Sequence, residues 1–460
     1  MVRNVGNKPA PAWKAALAVT VAAAGLLWHL LACSESPMAY SPSGRQLAFT
    51  TMEPFDFEHL EVKGSRLYRL MVVTDAKKLR IIEQSTEYMI SAPAYSPDGK
   101  RLCYLRVPLY SKKQLKYMRQ RAGEREKRFE KAMSKMREEA TTLPTPPELL
   151  AAGEPSTKPS QGAAVMLPPA GAFFKMVKKV GSRDPLPATL VVRDAGTYTV
   201  VSTLRFQLYV ADYQESFILL YPLLRPQYSP DGRQIYLCVP NSMLAALDLG
   251  EHEVRFLGGP FLRALPSPDG KVLAALQEGA VAFISTDGQV ATYRRWTGEP
   301  APLALAWKDP RTLAILRRKD KNKPSLVLLR TDGEIVPPKH TLPIELDEEI
   351  WPSLAISPDG KHMVFSTSGQ VLFMGGNGKV LKTLKYEEEK GLLFCPTFSP
   401  DSRRVAFKWV SKEAETGPRT TAIIFYSPEG KLTGRVPIPP GKLPKTRPTT
   451  GSRPATGPGK

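Results

Sequence analysis

Ala94-Tyr-Ser-Pro-Asp-Gly99 is one of six copies of a short sequence motif in this 460-residue chain. In this motif Pro suits the first central position of a type I turn, and Gly accepts a positive φ without a steric clash. The Ser and Asp side chains can bond backbone N–H groups within the turn. An apolar run follows each copy, so the motif predicts the turn of a β-hairpin. The other copies are Ala39-Tyr-Ser-Pro-Ser-Gly44, Gln227-Tyr-Ser-Pro-Asp-Gly232, Leu265-Pro-Ser-Pro-Asp-Gly270, Ala355-Ile-Ser-Pro-Asp-Gly360 and Thr397-Phe-Ser-Pro-Asp-Ser402.

The spacing of the copies gives the number of structural repeats. Successive motif serines are separated by 55, 133, 38, 90 and 42 residues. The gap of 90 contains a degenerate copy at 306–316, and the gap of 133 contains an insertion of 78 residues, 109–186, whose removal leaves 55. Repeats of this length are typical of propeller blades, and seven of them follow. We assign structural turn roles to Gly44, Asp98, Gly99, Asp231, Gly232, Asp269, Gly270, Asp359 and Gly360.

Each repeat also has a second turn sequence, such as Thr286-Asp-Gly288 or Thr331-Asp-Gly333, between two further apolar runs. Two hairpins per repeat make a four-stranded antiparallel blade, and a closed ring of blades leaves only short edges. The sequence therefore predicts an all-β, seven-bladed β-propeller over residues 36–437, with the insertion inside blade two. Six or eight blades are the alternatives, because 189–224 holds two hairpin-like segments that suit a decayed eighth blade.

The Ser-Pro-Asp-Gly motif resembles the blade repeat of TolB-type, WD-repeat-like bacterial β-propellers. The likeness covers about 36–437, interrupted by the insertion. The resemblance implies a propeller that acts as a protein-binding scaffold of the bacterial cell envelope. It is specific for the fold and weak for the function, because propellers host many unrelated activities.

The first 35 residues predict a signal peptide or membrane anchor. A basic leader precedes an uncharged, mostly apolar stretch at 15–32. The stretch ends in Leu30-Leu-Ala-Cys33, which resembles a bacterial lipobox and makes Cys33 a candidate for lipidation. An uncleaved transmembrane helix and a cleaved secretory signal are the alternatives. All three place the propeller outside the cytoplasm, on the periplasmic or extracellular side of the cell envelope.

The formal net charge of +20 is unevenly placed along the chain. Residues 111–140 hold 11 basic and 5 acidic side chains, and their apolar residues recur at helical spacing, which predicts a basic α-helix inside the insertion. That helix has three interpretations: it rests on the propeller, docks on a partner helix, or contacts an anionic membrane surface. Residues 143–187 and the basic tail 438–460 are rich in Pro, Gly and small polar residues, which predicts disorder.

The extra length of the chain falls at corresponding positions of three blades. Blade one is lengthened at 52–66, blade two at 109–186 and blade seven at 411–419, each time between the second and third strands. Blades seven, one and two are neighbours in a closed ring, so the additions gather on one part of one face. Because loop variation on a rigid scaffold commonly carries function, we predict that a protein partner binds there.

The sequence predicts no catalytic, cofactor or metal site. The five histidines have no metal-ligand spacing, and Cys103, Cys238 and Cys395 suit small buried positions. We expect a monomer that contacts a membrane through its N-terminus and binds no nucleic acid. Two classes of function stay open: a membrane-tethered protein-binding scaffold, and an enzyme or carbohydrate-binding module with its site in the axial channel.

Overall fold

A computed structural model describes residues 38–53, 67–109, 186–208, 224–239, 243–259, 261, 263–277, 280–286, 288–295, 302–320, 323–336, 353–367, 369–386, 391–411 and 421–441. These residues form seven antiparallel sheets and, within these ranges, no helix. Six sheets have four strands in sequential order, and the second has five because its first strand is interrupted. The chain is therefore a seven-bladed β-propeller, as predicted.

The strands of the first four blades follow the chain in order. Blade one contains β1 (Met38–Tyr40), β2 (Gln46–Glu53), β3 (Leu67–Thr74) and β4 (Lys78–Ser85). Blade two contains β5 (Tyr88–Ile90), β6 (Ala94–Tyr95), β7 (Arg101–Pro108), β8 (Leu186–Asp194) and β9 (Val200–Leu208). Blade three contains β10 (Pro226–Tyr228), β11 (Gln234–Val239), β12 (Met243–Asp248) and β13 (Val254–Gly258). Blade four contains β14 (Arg263–Pro266), β15 (Val272–Gln277), β16 (Ala280–Ser285) and β17 (Val290–Arg295).

The remaining three blades are built in the same way. Blade five contains β18 (Pro302–Asp309), β19 (Thr312–Asp320), β20 (Lys323–Arg330) and β21 (Ile335–Val336). Blade six contains β22 (Ser353–Ile356), β23 (His362–Ser366), β24 (Gln370–Gly375) and β25 (Val380–Lys385). Blade seven contains β26 (Gly391–Phe398), β27 (Val405–Ser411), β28 (Thr421–Tyr426) and β29 (Leu432–Ile438).

The blade count settles two points that the sequence left open. The segment 189–208 supplies the third and fourth strands of blade two, so no eighth blade is formed there. The degenerate copy at 306–316 supplies the first hairpin of blade five, where the Asp309 carboxylate accepts a hydrogen bond from the Arg311 N–H at 2.8 Å. Asp309 thus makes the same hydrogen bond as the motif aspartates of the other blades, although this copy has no motif serine.

The hydrophobic core lies between neighbouring blades rather than within any one of them. One cluster joins blades four and five through residues such as Phe283 and Ile315, and another joins blades six and seven through Phe373 and Phe407. Second and third strands are buried on both faces, so their sequences are continuous apolar runs. Fourth strands are outermost and alternate: β25 has the pattern of one buried residue among exposed and half-buried ones. Burial of apolar surface between blades therefore holds the ring together.

The repeated turns share one hydrogen-bond pattern, seen clearly in blade six. The Ser357 Oγ donates to the Asp359 carboxylate at 2.6 Å and accepts from the His362 N–H at 2.9 Å. The same carboxylate accepts from the Lys361 N–H at 3.1 Å, and the Gly360 N–H donates to the Ser357 carbonyl at 2.8 Å. Gly360 has a φ of 67°, which an L-residue rarely adopts. The motif serines are all buried, so each turn is fixed from inside.

Successive motif turns touch one another around the ring. A Cβ atom added to Gly44, Gly99, Gly232 or Gly270 would lie between 2.6 and 3.6 Å from the motif Pro of the preceding blade. First strands of neighbouring blades also contact each other, as β1 does with β6 and β26. The first strands are therefore innermost, and their turns encircle one mouth of the axial channel.

We expect Gly270→Ala to lower the free energy of unfolding by about 2 kcal/mol. Its φ is 71°, and the added methyl group would lie 2.6 Å from Pro230 Cδ, so backbone strain and overpacking add together. Gly369→Ala is the matched control, because a Cβ at Gly369 meets nothing within 4 Å. Urea unfolding of both variants measures the difference. Equal stability of the two would show that the contact between blades does not restrict the turn.

The ring closes without exchanging a strand between its ends. Among the described residues, β1–β4 form one sheet and β26–β29 another. An apolar cluster that includes Phe49, Val73 and Phe425 joins these two blades. Hydrogen bonds also cross the junction, among them those from Lys408 Nζ to the Thr50 carbonyl at 2.7 Å and from Arg404 Nη2 to the Gly44 carbonyl at 3.1 Å. Closure therefore depends on side chains rather than on a shared sheet.

Several predicted segments lie wholly or mostly outside the described residues. These are the N-terminal segment with Cys33, the predicted helix 111–140, and most of the segments 143–187 and 438–460. At their edges, β8 already begins at Leu186 and β29 ends at Ile438. Within the ranges that the structure describes, no helix is long and apolar enough to cross a bilayer.

Candidate functional site

The two faces of the propeller differ in the connections that they carry. Antiparallel order places the turns from first to second and from third to fourth strand on one face, here called the turn face. The opposite face, here called the loop face, carries the connections from second to third strand and from one blade to the next. The turn-face connections are all short, as in 41–45 and 75–77. The longer connections, 54–66, 110–185, 209–223, 337–352 and 412–420, all belong to the loop face.

On the turn face, the motif carboxylates are exposed but engaged by their own turns. Hydrogen bonds from the Ser96 hydroxyl and the Lys100 N–H lower the pKa of Asp98. Similar bonds lower the pKa of Asp231 and Asp359. Each carboxylate therefore stays ionised and is held by backbone groups of the same turn. The nine predicted turn residues all lie in these turns between first and second strands, and no larger acidic cluster is built from them.

An open cavity of about 390 Å³ lies between blades three and four on the turn face. Tyr236 and Arg255 contribute to its wall together with two motif turns. The Arg255 guanidinium donates a hydrogen bond to the Thr286 carbonyl at 2.7 Å. The carboxylates of Asp231 and Asp269 are likewise bonded to Ser229 and Ser267. Arg255, Asp231 and Asp269 in the cavity wall thus form hydrogen bonds within the propeller.

On the loop face, the structure brings together the strand ends that flank the three lengthened connections predicted from the sequence. Residues 54–66 join β2 to β3, 110–185 join β7 to β8, and 412–420 join β27 to β28. The flanking second strands β2 and β7 have 8 residues each, more than the 6 of β11 and β15 and fewer than the 9 of β19 in blade five. At about 3.4 Å per residue, two more residues carry these strands about 7 Å further. We call the loop-face ends of blades seven, one and two, with these connections, the loop-face sector.

The centre of the loop-face sector is a buried ion pair that fixes the end of the last blade. Arg69 in β3 is 2% exposed and pairs with Glu53, the last residue of β2. Arg69 also donates to the Pro439 carbonyl at 2.8 Å and to the Thr51 hydroxyl at 3.3 Å. The Glu53 carboxylate in turn accepts a hydrogen bond from the Gly441 N–H. This group, called the closure clamp below, ties the chain after β29 to blade one.

A second polar cluster lies where blades one and two meet. Glu83 in β4 is 6% exposed and accepts two hydrogen bonds from Arg106, both at 2.7 Å, and one from Arg193 at 2.5 Å. The hydroxyls of Tyr88 and Tyr104 donate to the same carboxylate. Burial alone would raise the pKa of Glu83, but these donors outweigh it and hold the pKa at about 2. A single carboxylate thus forms ion pairs with two guanidinium groups.

The Glu83 cluster stands close to the root of the insertion. Arg106 lies two residues before the end of β7, and its cross-strand neighbour in β8 is Thr189. The guanidinium of Arg106 also lies 5.1 Å from the ring centre of Tyr88, whose strand pairs with the last residues of β7. The strands that start and end the insertion are therefore held rigidly against blade one.

The first strands of the blades surround the axial channel. Their sequences include Met38-Ala-Tyr40, Pro226-Gln-Tyr228 and Ser353-Leu-Ala-Ile356. In blade five the Trp307 indole N–H donates to the Leu265 carbonyl of blade four at 3.1 Å, so that ring is tied to a neighbouring blade. Among the described residues, no group of three or more His, Cys, Asp or Glu side chains could hold a metal ion.

Sequence reasoning did not find the closure clamp or the Glu83 cluster. Their members come from strands far apart in the chain, so no spacing reveals them. One local signal existed: Arg69 interrupts the apolar run Leu67-Tyr-Arg-Leu-Met-Val-Val73, and an arginine inside a buried strand needs a partner. Glu83 in the outer strand β4 had no such signal, because charged residues are usual in edge strands.

Comparisons with known proteins show no family. No protein-family model matches the chain, and no curated protein matches it. Among solved structures, the Cps50 (Swd1) β-propeller domain of Myceliophteria thermophila is similar, with 11% identity, a TM-score of 0.47, and coverage of 85% of this chain and 96% of that one. A eukaryotic initiation factor has 12% identity, a TM-score of 0.40 and coverage of 87% of both chains.

TolB from Acinetobacter baumannii has 14% identity and a TM-score of 0.38. The match covers 73% of this chain and 62% of that one, so this chain spans less than two thirds of TolB. At such identities and TM-scores these likenesses carry no argument about function. The assignment of a seven-bladed propeller rests on the order of the strands.

Proposed function

We propose that this chain is a membrane-tethered, extracytoplasmic β-propeller that acts as a TolB-like protein-binding scaffold of a bacterial cell envelope. Its partner binds the loop-face sector. The observation that carries the proposal is that the strand ends flanking the lengthened connections of blades seven, one and two lie side by side at one face. Variable loops on a rigid framework are the usual place for recognition.

The geometry of the sector suits a scaffold. The closure clamp and the Glu83 cluster immobilise the strand ends on either side of blade one, so that the connections start from fixed points. Fixed loop ends reduce the conformational entropy that is lost on binding.

The tether comes from the N-terminal segment. The apolar stretch 15–32 and the lipobox-like sequence ending at Cys33 support export and membrane attachment, by a lipid on Cys33 or by an uncleaved helix. Metabolic labelling with a palmitate analogue, with Cys33→Ala as the control, distinguishes these two anchors. Label that is lost in the variant supports lipidation, whereas an unlabelled protein that stays in the membrane fraction supports the helix.

We expect deletion of 110–185 to abolish partner binding and leave the propeller folded. Arg106 and Thr189 are cross-strand neighbours, so Leu109 and Leu186 can be joined by a short Gly-Ser turn. A photo-crosslinking residue at the exposed loop-face position Glu87 should give a protein adduct in cells that disappears on deletion. The same residue at Lys271 on the turn face is the matched control. A Lys271 adduct that survives the deletion would contradict the proposed site.

A further inference from the structure

A row of polar side chains crosses blade two on the side that faces blade one. Arg106 of β7 is the cross-strand neighbour of Thr189 in β8, and Thr189 is the neighbour of Arg205 in β9. The side chains of directly opposed residues lie on the same face of a sheet. Because Arg106 bonds to Glu83 of blade one, this face of blade two is turned toward blade one. Arg106, Thr189 and Arg205 are called the arginine row below.

Exposure rises along the arginine row from the middle of the blade to its edge. Arg106 is 29% exposed, Thr189 is half-buried and Arg205 is exposed. On either side of Arg205 in the chain, Leu204 and Phe206 are half-buried and pack against the core, because side chains alternate along a strand. The gap between blades one and two is therefore open to solvent at the rim, where the arginine row ends.

Arg106 has donors left over after its ion pair with Glu83. Its Nε and Nη2 atoms each donate to the Glu83 carboxylate at 2.7 Å, and within the described ranges its Nη1 atom makes no hydrogen bond. Glu83 also pairs with Arg193 at 2.5 Å, so one negative charge compensates two positive ones before Arg205 adds a third. The Arg106 guanidinium is held in place over the Tyr88 ring, 5.1 Å from its centre. The open part of the gap therefore has a surplus of positive charge.

The spacing of the arginine row suits a carboxylate. Two steps between paired strands separate the Cβ atoms of Arg106 and Arg205 by about 10 Å, and both long side chains can converge above Thr189. A carboxylate at that point would accept hydrogen bonds from two guanidinium groups and from the threonine hydroxyl. Glu83 already makes the corresponding two-point contact on the inner side of Arg106. A nucleic-acid backbone, by contrast, is bound by a longer series of cations, one for each phosphate neutralised.

We propose that the arginine row binds a carboxylate side chain on an acidic segment of the protein partner. The inference rests on the protein-binding role of the proposed function and gives that partner its chemistry. β7 ends at Pro108 and β8 begins at Leu186, so Arg106 and Thr189 lie within three residues of the strand ends of the loop-face sector. An arginine that is already held by a carboxylate and an aromatic ring loses little conformational freedom on binding, which makes Arg106 an efficient contact.

The affinity of the full chain for a short fluorescein-labelled peptide of alternating Glu and Ser, measured by fluorescence anisotropy, tests this site. Arg205→Gln should weaken binding about tenfold, because a hydrogen bond to a charged group is lost. Arg205 is exposed, so this variant should keep the fold. Thr189→Val keeps the shape of the side chain and should weaken binding less. Arg255→Gln, which changes an exposed arginine in the outer strand of blade three, is the matched control and should bind as wild type does.

Three results would overturn the carboxylate site. They are no binding of the peptide by wild type, equal affinities of wild type and Arg205→Gln, and tighter binding of a single-stranded oligonucleotide of the same charge. The photo-crosslinker at Glu87 separates the site from the proposed function. An adduct that is lost in Arg205→Glu supports both, whereas an adduct that persists in Arg205→Glu leaves the partner at the loop-face sector and overturns the arginine row as its contact. If no adduct forms even in wild type, the proposed function is contradicted, and the peptide affinities alone decide the carboxylate site.

Discussion

Glu83→Gln should lower the free energy of unfolding by about 3–5 kcal/mol at neutral pH. The amide keeps the shape of the side chain but removes the charge that compensates Arg106 and Arg193, which are 29% and 13% exposed. Two guanidinium groups would then face each other across a neutral group in a mostly buried site. Loss of a single partner in such a cluster costs more than the pair itself contributes, because the remaining charges stay desolvated.

The same variant should change the dependence of stability on pH. The donors around Glu83 lower its pKa from the ordinary 4.5 to about 2 in the folded protein. A group whose pKa is lowered by folding stabilises the protein above its unfolded pKa, and that stabilisation is lost as the pH falls through the folded pKa. The stability of wild type and Glu83→Gln should therefore differ most above pH 4.5 and converge as the pH falls toward 2.

Urea unfolding at several pH values measures both effects, and Glu334→Gln is the control. Glu334 pairs with Arg330 at 2.8 Å, but the two side chains are 58% and 45% exposed. Such a surface pair contributes little to stability, because solvent and salt screen it. If the two variants lose equal stability, or if the Glu83→Gln loss persists unchanged at acid pH, the Glu83 cluster is not the ionic junction that its geometry indicates.

The sequence predicted the blades because each one carries its own turn signal. Gly360 and its equivalents encode a positive φ locally, and in most copies a serine and an aspartate act within six residues, so the spacing predicted seven repeats. The position of the extra length followed from the same count. Even the degenerate copy in blade five was found, because Asp309 and Pro310 keep the turn chemistry.

The contacts between blades could not be predicted, because they depend on how the ring closes. Arg69 meets Pro439 across 370 positions, and Arg193 meets Glu83 across 110, so no local pattern joins them. The direction in which the termini leave also required the strand order to be known. It is this order that places Met38, the strand ends at Leu109 and Leu186, and Gly441 at one face.

Arg69→Met should lower the free energy of unfolding by roughly 3 kcal/mol and loosen the last strand of the ring. The variant leaves the Glu53 carboxylate without its buried partner and the Pro439 carbonyl without its donor. Since no strand is shared across the junction of blades seven and one, the apolar cluster and the hydrogen bonds of Lys408, Arg404 and Gly441 are left to hold it closed.

The double variant Arg69→Met with Glu53→Gln separates charge burial from closure. It should recover part of the lost stability, because removing both charges relieves the penalty of one unpaired ion. Arg435→Met in the same closing strand is the control: its guanidinium only stacks on Trp409 at 4.0 Å, a contact that contributes about 0.5–1 kcal/mol. Hydrogen exchange of Val436 and Ile438 should quicken in Arg69→Met and change little in Arg435→Met. Unchanged exchange in both would mean that the apolar cluster alone closes the ring, and that the closure clamp only positions the tail beside blade one.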